Sequence, residues 1–498
     1  MKLGIKILSL SAAVLLMVSC KKNYLDVNVS PNAVADAPVR VLLPNTTVGM
    51  AFANSNELGK ASALLMQYSA GIIGNSASYD TWVLGSFDGQ WTNELYVNTV
   101  NNLGIIIQKT QGKNGAYSGI AKLELAYTMS MITDMWGDAP YSEAGQGLDA
   151  GGFPKFPQPK FDAQADIYLG NQAKGIKSLF NLVREGLNDI ASAPPFRPGV
   201  DPASDDIVYG GTLSRWNRLG NSLLMKFALQ VSNRAPDTTT AVIRDIINNN
   251  KPYIDAIDGS LDFAVSIFTS SNPNAYYLQD IGGSIPNTQM LSNRFLALER
   301  SLNDSLRLSK LFIKPAAMFV GYDNGSPFTP PIAANRSYYG TYVLGATRRG
   351  EAPIRLITAF RNNFILAEAA LRFGVAGDPN TYYQNGIRGS MKSTGMTDAE
   401  ITAYFTANPT IVTLAGTATQ KLQQIITQKY IASVGNAVES YNDYRRTGYP
   451  VLIPPVITAG DDPNIFPQRL PYTNTEGAAN PNQPNPRPKT SVKLWWAL

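Results

Sequence analysis

Apolar residues recur through the first half of the chain at the spacing of buried helices. In FDGQWTNELYVNTVNNLGIIIQKTQG, Trp91, Leu95, Val100, Leu103 and Ile107 fall three to five positions apart, which predicts one amphipathic helix. AYSGIAKLELAYTMSMITDMWGDAPY repeats the pattern with Ile120, Leu123, Tyr127, Met131 and Met135, and Gly137 and Pro140 supply the stop. FDAQADIYLGNQAKGIKSLFNLVREGLNDIAS and LSRWNRLGNSLLMKFALQVSN predict two further amphipathic helices. The pattern returns in PIRLITAFRNNFILAEAALRFG and from about Thr419 to Arg446. Between them, from about Lys251 to Glu351, the chain is rich in Gly, Pro, Asn, Ser and Tyr, and only one helix, around Asn293–Leu308, interrupts it. A second irregular stretch follows Pro450. Long loops in a compact protein are usually functional or disordered, and the tyrosines in these argue for order.

The first twenty residues follow another pattern. MKLGIKILSLSAAVLLMVSC has Lys2 and Lys6, an apolar run from about Ile7 to Val18, and Cys20. The run is too short to cross a bilayer, which takes about 20 residues, and the layout is that of an export signal. An ordinary signal peptide with a chance cysteine is one reading. A bacterial lipoprotein signal, with lipid on Cys20 as the new first residue, also explains why the only cysteine sits here. The division expected is a signal peptide over 1–19, a lipidated tether over 20–37 and one globular unit over 38–498. In that unit a helical scaffold (about 38–250 and 352–449) carries a loop-rich lobe (about 251–351 and 450–498).

Composition mostly excludes. The 498 residues contain no histidine and one cysteine. That removes Ser-His-Asp and Cys-His catalysis, His-ligated metals, iron–sulfur clusters and internal disulfides. A net charge of +5 without a basic block gives no counterion-displacing surface for nucleic acid. GNQAKGIKS and GQGLDAG miss the phosphate-loop and dinucleotide patterns. DVNVSPNAVADA begins like a calcium loop but has Pro31 at the glycine position. No cofactor is indicated, and the sequence decides nothing about a structural calcium.

Two carboxylates and two arginines crowd AVESYNDYRRTGYP. On a helix Glu439, Asp443 and Arg446 share a face, and Arg445 lies on the adjoining one. Glycosidase carboxylates flank a sugar from opposite sides, whereas these leave one helix in the same direction. Arginines just before Gly448 suit a helix C-terminus. These four residues are read as frame, as is Glu368 in FILAEAALRF, whose apolar surroundings demand a cationic partner, Arg445 or Arg446. The ligand candidates are loop residues: Tyr79, Asp80, Trp82, Phe87, Tyr276, Tyr277, Asn287, Arg336, Tyr338 and Tyr339. Aromatic faces stack on the C–H face of a sugar ring while amides and carboxylates bind its hydroxyls. The same mixture suits an extended peptide, or merely pins loops to the core. A glycosidase using acids from separate loops, such as Asp80 and Asp280, is the rival of another class.

SCKKNYLDVNVSPN, MWGDAPYSEA, DIVYGGTLSRWNRLGNSLLMKFALQVS, FILAEAALRF with YYQNGIRGSM, ITQKYIASVGNAVESYNDYRRTGYP and PQRLPY occur in this order over nearly the whole chain. In these stretches the chain resembles the SusD/RagB-like nutrient-binding lipoproteins of the Bacteroidetes outer membrane, in particular their second SusD-like subfamily. The resemblance implies an all-α fold of tetratricopeptide-like helix pairs with a loop-rich lobe carrying the ligand site. It implies a protein that binds and does not cleave. It also implies a lipid-anchored lid facing the cell exterior, which captures oligosaccharides, or peptides in the RagB manner, and hands them to a SusC-like TonB-dependent transporter.

Overall fold

Long antiparallel helices meet where the chain supplies small residues. The computed structural model describes residues 37–498, so Cys20 and the signal and tether segments lie outside the described residues. Helix Gly115–Trp136 runs through the centre, with Asn114 capping its start through Ala116 N and Tyr117 N. Every residue from Ala116 to Trp136 is buried, so the expected one-sided stripe is a core helix covered all round. It packs against Leu179–Ala191. A Cβ at Gly119 would lie 2.7 Å from the Gly186 carbonyl oxygen, so only glycine lets these two helices approach this closely. Ala359–Phe373 against Pro379–Ser393 forms a second pair. Val39–Leu498 makes one compact unit.

Five expected helices differ in detail. The Trp91–Ile107 stripe begins as a π-helix, Gln90–Asn101, and becomes α-helical from Asn102 to Thr110. The five-residue step from Leu95 to Val100 matches that wider turn, and Ile106 rather than Ile107 is buried. The segment read as one helix from Phe161 breaks into Gln164–Leu169 and Leu179–Ala191, because Gly170 and Gly175 adopt positive φ and Ser178 starts a new cap. PIRLIT opens with a strand, Ile354–Ile357, before Thr358 caps the helix. Thr419–Arg446 is two helices, Ala418–Ala432 and Ala437–Thr447, parted at Gly435. The helix around Asn293–Leu308 likewise divides, into Asn293–Ser301 and Ser305–Leu311, where Asn303 takes positive φ and Asp304 caps. Asp398–Ala407 is a helix that the apolar pattern does not predict, and it opens with a capping box, Thr397 with Glu400.

The lobe is irregular backbone ordered by short ladders. Ser69–Gly71 pairs antiparallel with Gln289–Leu291 (Ser69 opposite Leu291), and Phe263–Val265 pairs with Ile354–Ile357. Among the described residues no helix is long and apolar enough to cross a membrane.

Candidate functional site

The loop surface is built on the two-stranded ribbon Ser69–Gly71/Gln289–Leu291. Leu291 N donates to the Ser337 carbonyl (2.8 Å) and Tyr322 N to that of Leu291 (2.9 Å), which brings the 320–339 loops alongside. Asn324 is the hub. Its amide donates to the Ser69 carbonyl (2.9 Å) and to Asp80 (2.5 Å), and its own carbonyl accepts from Ser292 Oγ (2.6 Å). The C-terminal loops close over the edge, with Val456 N donating to the Asn324 carbonyl and Ala459 N to that of Thr81, both at 2.8 Å.

Most of the aromatic candidates face into this assembly. Tyr79 stacks on Phe87 (centroids 5.5 Å apart) and donates its hydroxyl to Glu57 (2.7 Å), and both rings are buried. Trp82 is 5 % exposed and packs edge-on against Phe466. Positive φ at Trp82 (68°) and Phe87 (53°) is a backbone choice bulky residues rarely make. It persists where packing over-determines the loop, as the burial of these rings does here. Tyr339 stacks on Phe312 (5.0 Å) and accepts from Ser69 Oγ (3.0 Å). Tyr276 lies edge-on to Tyr339 and lines a cavity of about 10 Å³, space for one water and not for a sugar ring. Tyr79, Trp82, Phe87, Tyr276 and Tyr339 therefore hold the loops to the core, the alternative that composition had left open.

The acids are also interior. Asp80, 1 % exposed, accepts from Asn324 Nδ2 and from Gly325 N (2.6 Å), and burial pushes its pKa up to about 7. Asp280 is buried too and accepts from Thr288 N (2.7 Å) and Thr288 Oγ1 (3.0 Å); burial pushes it up to about 6. Both carboxylates organise turns and neither is open to a substrate, which removes the glycosidase pair. Among the described residues no group of three or more acidic or cysteine side chains could hold a metal.

Four candidates remain at the surface: Tyr277, Asn287, Arg336 and Tyr338 are each partly exposed. Three of them meet. Arg336 Nε donates to the Pro331 carbonyl (2.6 Å), and its Nη1 reaches that of Asn287 at 3.5 Å. Burial raises the Tyr338 hydroxyl's pKa while the Arg336 guanidinium opposes the rise, so the ring and the cation are neighbours. Phe328, 77 % exposed, is the most exposed aromatic in the lobe, and its carbonyl accepts from the Tyr322 hydroxyl. Ile285 and Ile332 are exposed beside these loops. Phe328 is absent from the sequence-based candidates, although its segment, NGSPFTPPIAANRS, has the composition of the others; Pro327, Pro330 and Pro331 restrict the backbone on either side of it. An exposed ring, a tyrosine, an amide and a guanidinium can stack on a sugar and bind its hydroxyls.

AVESYNDYRRTGYP forms the frame beneath. Ala437–Thr447 is a helix ending at Gly448, in the left-handed conformation. Arg446 meets both oxygens of Glu368 (2.5 and 2.8 Å) and also Asp443 (3.1 Å). Asp443 accepts from Lys429 (2.8 Å) and Arg361 (3.3 Å), while Glu439 pairs with Lys226 (3.1 Å) and Arg361 (3.2 Å). Arg445 turns away to the Gln468 carbonyl (2.8 Å) and to Asn442 (2.6 Å), over the Tyr441 ring. Arg446 is thus the partner of Glu368, and the cations hold Glu368 and Asp443 below the ordinary carboxylate range against burial.

The helical scaffold buries its charges in pairs, and the loops carry aromatic, amide and cationic groups at the surface. The chain belongs to SusD-like family 2, described as "Starch-binding associating with outer membrane", whose model matches residues 31–473. No curated protein sequence matches the chain significantly. Solved structures share the fold. One described as a chitin-binding protein has 22 % identity and a TM-score of 0.75, over 93 % of this chain and 100 % of that one. A chitin-binding SusD homolog from Flavobacterium johnsoniae has 20 % identity and a TM-score of 0.73, over 92 % and 98 %. A SusD-like protein from Bacteroides thetaiotaomicron has 19 % identity and a TM-score of 0.74, over 92 % and 99 %. Identities this low carry the fold and not the ligand. The family binds carbohydrate and is associated with the outer membrane.

Proposed function

We propose that the lobe surface around Phe328, Asn287, Arg336 and Tyr338 captures an oligosaccharide and that the protein delivers it to a SusC-like TonB-dependent transporter. The observation that carries the reading is membership of a starch-binding family together with the exposed Phe328 ring and the contact of the Arg336 guanidinium with the Asn287 carbonyl on the same loop lobe. Lipid on Cys20 holds the protein to the outer membrane, facing the exterior, with residues 20–37 as tether. Stacking with a few directed bonds gives an affinity low enough for release into a channel. Chitin-binding neighbours put chains of N-acetylglucosamine, beside α-glucans, among the first ligands to test.

The test is titration calorimetry of the chain beginning after Cys20 with N-acetylchitohexaose and maltoheptaose, for the wild type, Phe328→Ala and Tyr338→Ala. Loss of one stacking ring is expected to weaken binding by about 2- to 12-fold, from roughly 0.5–1.5 kcal/mol of aromatic contact. Unchanged affinity in both variants would remove the lobe site. Binding of extended peptides with no sugar bound would favour the RagB-like alternative.

A further inference from the structure

Helix Ala418–Ala432 carries an unusual face. Gln420, Gln423, Gln424, Thr427 and Gln428 fall at i, i+3, i+4, i+7 and i+8, one continuous stripe of uncharged polar side chains. They form one wall of a cleft of about 510 Å³, and no charged residue lines it. The opposite wall comes from Leu302, Tyr383 and the 410–416 loop. That loop is fixed from behind: the Tyr383 hydroxyl donates to the Ile411 carbonyl (2.8 Å), Gln384 Nε2 to the Val412 carbonyl (3.1 Å), and Leu414 N to Asn380 Oδ1 (2.8 Å). The cleft is preformed, and none of Asn287, Phe328, Arg336 and Tyr338 lines it.

Three of the glutamines are oriented by internal donors. Gln420 Oε1 accepts from Thr417 N (2.8 Å), Gln424 Oε1 from Ala415 N (3.0 Å), and Gln428 Oε1 from an Arg307 guanidinium nitrogen (2.9 Å). Their acceptor ends are engaged, which fixes each amide and leaves its NH₂ group as the free end. Arg307 is itself held by Asp304 (2.5 Å) and Ser390 (3.2 Å), so the Gln428 amide sits on a rigid buried support. Gln428 is 1 % exposed, and its Nε2 has no hydrogen-bond partner among the described residues. A buried donor without a partner is costly, and it lies at the inner end of a stripe of other donors.

We propose that this cleft is a second glycan-contact site, which takes an oligosaccharide through its acceptor oxygens: hydroxyl, ring ether and, where present, acetamido carbonyl. The chemistry selects this class. Without a lining cation the cleft does not suit phosphate or carboxylate. A peptide main chain alternates donors with acceptors at fixed spacing, whereas the oriented amides of Gln420 and Gln424 turn their oxygens to the protein and present donors. A glycan presents acceptors at nearly every position. The inference rests on the glycan-capture reading and adds a point of contact on the helical scaffold, so that a chain held at the lobe has a separate foothold.

The experiment is calorimetry and native mass spectrometry of the chain beginning after Cys20 with N-acetylchitohexaose and with maltoheptaose. Thr427→Arg and Gln423→Arg fill the cleft from partly or fully exposed positions without touching Arg307, and circular dichroism checks their fold. Two glycans per chain are expected for the wild type. Thr427→Arg should weaken one of them at least 10-fold and leave the other, which Phe328→Ala and Tyr338→Ala should weaken instead. A single bound glycan, unaffected by Thr427→Arg and weakened by the lobe variants, would overturn the second site and keep the lobe reading. A single glycan lost only with Thr427→Arg would keep the cleft and overturn the lobe. No bound glycan would overturn both, and peptide uptake blocked by Thr427→Arg would overturn the assigned ligand class.

Discussion

Glu368→Gln separates frame from site most sharply. The Glu368 carboxylate is fully buried and receives Arg446 at 2.5 and 2.8 Å and Arg372 at 2.6 Å. An exposed ion pair contributes about 0–1 kcal/mol, but this one is inside the scaffold, where removing one charge leaves its partner buried without its bidentate carboxylate. Arg446 retains only Asp443, at 3.1 Å, which Lys429 and Arg361 already share. The expected loss is about 3–5 kcal/mol, a fifth or more of the roughly 5–15 kcal/mol that holds a typical domain folded. Urea unfolding followed by tryptophan fluorescence reads it as a lower midpoint, with glycan affinity of the folded fraction unchanged within twofold. Glu368→Gln/Arg446→Met should lose less than the two single variants summed, since the stranded charge is gone. A loss below about 1 kcal/mol would refute the reasoning, because a buried arginine left with only a shared, more distant carboxylate cannot be that cheap. An unchanged midpoint with lost glycan binding would move these residues from frame to site.

Stability should fall as pH rises from about 5 to 8. Burial pushes the carboxyls of Asp80 and Asp262 up to about 7, Asp280 to about 6 and Glu124 to about 8, so between the ordinary carboxylate range and those values the folded state holds protons that the unfolded chain has released. Asp443 and Glu368, held low by their cations, act oppositely, and their contribution is lost below about pH 4; a Tm that rises between pH 5 and 8 would contradict this, and Asp80→Asn should flatten the slope. Gly71→Ala would put a Cβ 2.0 Å from the Ser76 carbonyl oxygen, forcing the strand from the turn that follows; a loss of about 1–3 kcal/mol is expected from such overpacking, and an unchanged unfolding midpoint would show that the approach is not rigid. Cys20→Ser should move the protein from the membrane to the soluble fraction of expressing cells, and retention in the membrane would remove the lipid anchor.

Helix existence was legible where period and punctuation agreed. Gly115–Trp136 has an apolar repeat and a terminating Gly137 that place the helix as the sequence suggests, although it is buried on every side. The breaks were less visible because they depend on single residues at positive φ, such as Gly170, Asn303 and Gly435, inside segments whose apolar spacing continues across them. The π-helix needed a five-residue step to be read as geometry instead of scatter. Ring direction was the least legible. Trp82 and Phe328 both sit in polar loops, yet Trp82 packs on Phe466 from a segment 384 residues away while Phe328 faces solvent. Composition places an aromatic in a loop; only the distant partner decides whether the ring is anchor or platform.

Intact capture of a glycan is the central claim, and native mass spectrometry of the chain beginning after Cys20, incubated with mixed oligosaccharide and peptide pools, tests it most directly. The expected result is intact sugar adducts whose mass does not change with time. Shortened sugars accumulating during incubation, or peptide adducts alone, would contradict it.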